Sequence, residues 1–123
     1  MSLDELNRRV TNAIVRAESL PVGSRDAWEA FHEVSALEES ITTLVPPDDL
    51  EGEIARLGAV TAALSAGEPL RALQLAERFL AESPAPEIAE KLRQLVKEAD
   101  AELVRAATNE PTVKPVTFTL RAA

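Results

Sequence analysis

This sequence predicts an all-α fold of five helices, on three observations. Apolar residues recur at three- and four-residue spacings along most of the chain. Six of the eight prolines, at 21, 46, 47, 69, 84 and 86, fall between those runs and not inside them. The apolar content is carried by Ala, Leu and Val, with aromatics at only 3% and no long β-branched run. Together these predict a single helical domain over residues 1–108. It divides into an N-terminal antiparallel hairpin (1–45) and a three-helix unit (48–107), and an extended tail follows at 109–123.

In the first helix, Ser2 followed by Glu5 is a capping-box pattern. Leu3, Leu6, Val10, Ala13, Ala17 and Leu20 then keep one face for about five turns, and Pro21-Val22-Gly23 breaks it. Ser24 caps the second helix, with Asp26 in its first turn complementing the dipole. Its stripe is Ala27, Ala30, Val34, Leu37, Ile41 and Leu44, flanked by Trp28, Phe31 and Val45. Two matched stripes across a three-residue break read as a helical hairpin.

Pro46-Pro47 ends the second helix. Asp48 or Asp49 caps the third, whose expected buried positions are Leu50, Ile54, Leu57, Val60 and Leu64. Gly67 stops it and Pro69 opens the fourth, where a missing N–H costs nothing. Leu70, Leu73, Leu75, Ala76, Phe79 and Leu80 make that fourth helix the widest apolar face, so it is expected at the centre of the domain. Ser83-Pro84 closes it. Pro84-Ala85-Pro86 leads into the fifth, with Ile88, Leu92, Leu95, Val96, Ala99, Leu103 and Val104 as its face.

Beyond Thr108-Asn109-Glu110-Pro111 the period changes. Val116, Phe118 and Leu120 alternate with Thr117 and Thr119, the pattern of a strand. A lone strand leaves its backbone groups unpaired, so residues 113–120 are expected to add to a sheet edge on another chain. Pro115 lacks a donor and suits an edge strand.

The 123 residues carry a net charge of −8, concentrated in residues 1–83 with 15 acids against seven bases. Such a chain lacks the basic footprint of a nucleic-acid or anionic-membrane binder. No apolar run approaches a membrane span, and the N-terminus reads as an amphipathic helix, not a signal peptide. Without cysteine there is no disulfide and no thiolate site. The expectation is a soluble cytoplasmic protein.

The pair of helices from about Glu53 to Pro84 resembles a single tetratricopeptide repeat. Gly67 sits at the turn, Ala72 and Leu73 form the small-then-large pair where the helices meet, and Leu80 and Pro84 close the unit. The first half departs from the pattern. Leu57-Gly58 stands two residues before the family's Leu-Gly pair, Ala63 replaces a large aromatic, and Phe79 replaces a small residue. No second copy follows at the repeat spacing. The resemblance implies a protein-interaction scaffold and not an enzyme.

Candidate chemistry is sparse. Glu29 and His32 match half of a di-iron carboxylate site, which needs a second Glu-x-x-His; with one histidine in the chain, only a homodimer would supply it. Asp48, Asp49, Glu51 and Glu53 read as dipole-complementing carboxylates and not as a calcium loop. Adjacent Glu38 and Glu39 diverge around a helix and read as a solvated face. Arg8, Arg9 and Arg16 interleave with acids as an exposed, salt-bridged surface. Trp28 lies beside the heptad stripe, which fits a core residue or an interface anchor.

The reading is therefore a non-enzymatic adaptor or structural subunit, without cofactor or metal, acting through protein partners and open to homo-oligomerisation. Its partner-binding candidates are Trp28, Val116, Phe118 and Leu120. The alternatives are a metal-binding helical bundle using Glu29 and His32, and a dedicated chaperone for an assembling or exported partner. If the tail makes an intermolecular contact, Phe118→Asp should weaken assembly, read by size-exclusion mass, and leave the melting temperature unchanged. A lower melting temperature in a monomeric variant would instead place Phe118 on its own helices.

Overall fold

The helix boundaries follow the caps. The computed structural model describes residues 1–109, which form five helices: α1 (Leu3–Glu18), α2 (Arg25–Thr42), α3 (Leu50–Ser65), α4 (Pro69–Leu80) and α5 (Pro86–Asn109). Ser2 is extended at the N-cap of α1, and its Oγ accepts from the Glu5 N–H at 3.2 Å. Ser24 does the same for α2 through Ala27. Asp49 occupies the N-cap of α3, but its side chain makes no capping hydrogen bond. The helix starts α1, α2 and α4 thus fall where the sequence placed them, and α1 stops at Glu18, short of Leu20. The tail with Val116, Phe118 and Leu120 lies outside the described residues.

The centre of the domain is α3, which corrects the expectation that residues 67–84 would hold it. Helix α4 packs on α3 and α5, whereas α3 packs on α2, α4 and α5. The reason is the size of its side chains. On one side Ala59, Val60 and Ala63 join Ala72, Leu75, Ala76, Phe79, Ile88 and Leu92 in the larger core. On another, Ala55 packs with Leu6, Val10, Ile41 and Val45, and Ala62 with Ala13 and Val34. Small residues let both neighbours approach, and large ones on those faces would hold them apart. At the start of α3 the approach is closest: a Cβ on Gly52 would collide with the backbone carbonyl of Pro46.

The expected stripe of α3 is accordingly wrong at its first two positions. Leu50 is 73% exposed and Ile54 is also exposed, while Gly52, Ala55, Arg56 and Ala59 are buried in their place. Leu44, Leu70 and Val104 are exposed as well, and Leu73 is only partly buried. In α4 the fully covered positions are Ala72, Leu75, Ala76 and Phe79. The final residues of α5 run past the shorter α4, which leaves Val104 uncovered.

Arg56 is buried at 3% exposure, and all five of its N–H donors are spent. Its Nε donates to Glu82 Oε1 at 2.7 Å and one terminal nitrogen to Glu82 Oε2 at 3.3 Å. That same nitrogen reaches the Thr42 carbonyl at 3.2 Å, and the other reaches the Val45 and Gly52 carbonyls at 3.0 Å each. Helix α2 has no basic residue in its last turn, so Arg56 of α3 supplies the charge and donors that its terminal carbonyls need. The guanidinium also lies 5.7 Å from the centroid of Phe79. One side chain thereby joins the end of α2, the start of α3 and the turn after α4.

Arg56→Leu should lower stability by about 3 kcal/mol or more, because it strips every partner at once. Glu82→Gln should cost about 1 kcal/mol, since an amide keeps one acceptor and the side chain reaches solvent. Urea unfolding at unchanged m-value separates the two, and equal losses would show that the carbonyl contacts contribute nothing.

Candidate functional site

The first two turns of α2 and the turn between α3 and α4 meet in a surface cleft of about 420 Å³, lined by Arg25, Trp28, Glu29, His32, Ala66, Gly67 and Glu68. Residues 25, 28, 29 and 32 are spaced by three and four, which puts them on one side of α2. The opposite wall is a Schellman turn. Glu68 N–H donates to the Ala63 carbonyl at 2.9 Å and Gly67 N–H to the Leu64 carbonyl at 3.0 Å, with Gly67 at a φ of +73°.

Gly67 is needed twice here. Its left-handed backbone disfavours any L side chain, and a Cβ would stand 3.2–3.4 Å from three atoms of the Trp28 indole. The indole is thus laid against the bare turn and stays 47% exposed. The core reading of Trp28 is corrected on this point: it lies at the surface.

Glu68 stands at the N-cap of α4 without capping it. Its carboxylate is turned across the cleft, where its two oxygens lie 2.8 and 3.1 Å from His32 Nδ1. His32 therefore has Glu68 as its partner and not Glu29, whose carboxylate sits 3.9 Å from Arg25 on a highly exposed pair. Among the described residues no group of three or more His, Asp or Glu is arranged to hold a metal ion.

A second, more apolar hollow of about 330 Å³ opens at the same end of the bundle, lined by Ala17, Leu20, Val22, Ala27, Phe31 and Ser65. Trp28 and Phe31, one turn apart, face the two hollows separately.

Three further polar side chains of α2, Ser35, Glu38 and Glu39, turn toward its neighbours in the bundle. Ser35 is fully buried and gives its hydroxyl proton to the Ala59 carbonyl at 2.8 Å. Its oxygen accepts from Arg71 Nε at 3.1 Å, so it presents no nucleophile. Glu39 accepts from Arg71 at 2.8 Å and from Arg78 at 2.9 Å. Burial pushes the Glu39 carboxyl up, but the two guanidiniums outweigh it and hold the group below its ordinary value.

Glu38 is the opposite case, and the solvated-face reading of the pair fails with it. It is 7% exposed, fits against α3 where a Cβ on Gly58 would collide with it, and has no hydrogen-bond partner among the described residues. Desolvation raises its pKa from 4.5 to about 7. Neither adjacent glutamate was distinguishable from the other in sequence; the small residue opposite, Gly58, is what admits one of them to the interior.

Of the acidic run, Glu51 accepts from Asn7 at 3.1 Å and so ties α3 to α1. Arg9 pairs loosely with Glu5 on the outer face of α1. None of the described helices is long and apolar enough to cross a membrane. Comparison with family models, curated proteins and solved structures finds no significant match to this chain.

Glu38 makes stability pH-dependent in a defined direction. A carboxyl raised in the folded state favours folding fully below about pH 4.5, and that contribution is lost as pH rises through about 7. The rise corresponds to about 3 kcal/mol at most. Glu38→Gln should therefore flatten the fall in urea stability between pH 5 and 8, relative to the parent chain. An unchanged slope would mean that Glu38 reaches water or a counter-charge.

Proposed function

We propose that this chain is a non-enzymatic protein–protein interaction module, an adaptor or structural subunit of a larger assembly, with Trp28 as an anchor of its contact surface. The observation that carries this reading is the indole itself: half exposed and seated on Gly67, at the mouth of a cleft. Tryptophan is enriched among the few residues that dominate binding energies, and a pre-seated ring loses little freedom on association. Ser35, Glu39, Arg56 and Arg71 are engaged with one another, with Glu82 or with the backbone, and serve the packing of the helices. The likeness of residues 53–84 to a tetratricopeptide unit agrees with this reading, and so does a cytoplasmic setting for a chain without cysteine.

The test compares proteins recovered on the tagged chain with those recovered on Trp28→Ala, both shown by thermal melts to be equally folded. A partner held stoichiometrically by the parent should be lost or weakened about 30-fold by the substitution, the loss of a hot-spot residue. Equal recovery on both would remove Trp28 from the contact surface.

A further inference from the structure

We propose that the Trp28 cleft binds an arginine side chain from a basic segment of a partner protein. This rests on the interaction reading above and adds the chemistry of what is bound. The cleft offers two groups that a guanidinium uses together. One is the indole, with its inner side against the Gly67 turn and the remainder open, a surface on which a planar cation stacks. The other is a pair of carboxylates, Glu29 and Glu68, on opposite walls of the same cleft.

Both carboxylates have unused capacity. A carboxylate has about four acceptor positions, and among the described residues Glu68 meets only the single nitrogen of His32. Among the described residues Glu29 is held only by Arg25 at 3.9 Å, with side-chain exposures of 68% and 90%. Exposed pairs of this kind contribute little, so an incoming cation displaces Arg25 readily. Glu18 lines the neighbouring hollow and Asp26 stands in the first turn of α2, and both add to the negative field at this end of the bundle. Arginine is favoured over lysine because its plane both stacks on indole and meets a carboxylate with two parallel bonds, which an ammonium does not. An acidic anchor would meet Glu29 and Glu68 as like charges, and an uncharged apolar one would leave their free acceptor positions unused.

Trp28 is the only tryptophan and the chain has no tyrosine, so its emission reports this cleft alone. The probe is a blocked Gly-Arg-Gly-Arg-Gly peptide titrated into the full chain, beside its lysine and glutamate counterparts. The expected result is a saturable emission change with the arginine peptide, weaker with lysine and absent with glutamate, and shrinking as salt is raised. The double variant Glu29→Gln/Glu68→Gln should weaken arginine-peptide binding roughly tenfold, while Glu98→Gln on distant α5 leaves it unchanged. Circular dichroism melts confirm that both variants fold. Undiminished binding in the double variant, an equal response to glutamate, equal affinity for lysine, or no saturable response at all would each overturn the proposal. A natural partner lost with Trp28→Ala but kept by the double variant would overturn the arginine inference and leave the interaction module standing.

Discussion

The fold depends on a single guanidinium with no free donor. Arg56 sits where α2 ends, α3 begins and the chain turns out of α4, and each of those segments brings it an acceptor. A charge taken so far out of water is tolerable only when it is fully paired and hydrogen-bonded. That requirement fixes the surroundings as much as the surroundings fix it. Gly52 must lack a side chain for the Pro46 carbonyl to lie against α3, and Ser83 adopts a left-handed φ of 56° in the turn that also holds Glu82. A lysine would bring one charge and three donors, too few for five acceptors set in a plane.

Around this point the two cores are kept together by what α3 lacks. Its alanines, glycines and one valine bury toward α2 on one side and toward α4 and α5 on the other. Close approach of backbones makes polar contacts short and direct, as in the bond from Ser35 to the Ala59 carbonyl. Arg71 then extends that contact to α4 through Ser35 and Glu39. The joint between the hairpin and the other three helices is therefore partly polar, and polar joints specify register more strictly than apolar ones. Glu38, pressed on Gly58 without a hydrogen-bond partner among the described residues, is where this joint carries a liability.

Much of this was legible in the sequence, and the rest was hidden for identifiable reasons. Ser2, Ser24, Gly67 and Pro69 act through the backbone within a few residues of themselves, so the start and stop signals could be read locally. The stripe of α3 could not, because reading large apolar residues as buried overlooks a helix contacted from two sides, where small residues win and Leu50 and Ile54 turn outward. Arg56 gave no local sign, since its acceptors lie four to 26 residues away in sequence. Glu29-x-x-His32 kept the right spacing for a shared site, yet His32 found its carboxylate 36 residues downstream. Trp28 beside its stripe was an accurate cue to its position, but only the turn at Gly67 decides that the ring lies flat and half exposed.

The interior pairing also changes how the charge of the protein is felt from outside. Three of the seven bases in residues 1–83, Arg56, Arg71 and Arg78, are committed to just two acids, Glu82 and Glu39. With Glu38 buried as well, the surface around them is left with the other 12 acids against four bases, Arg8, Arg9, Arg16 and Arg25. Fields from exposed groups act over about a Debye length, near 8 Å at physiological salt, so each end of the bundle presents its own local balance. At the end that holds Trp28, the contributors are Glu18, Asp26, Glu29 and Glu68 against Arg25. The basic segment proposed above would be drawn to that end before it touches anything, and the aromatic surface is already in place there.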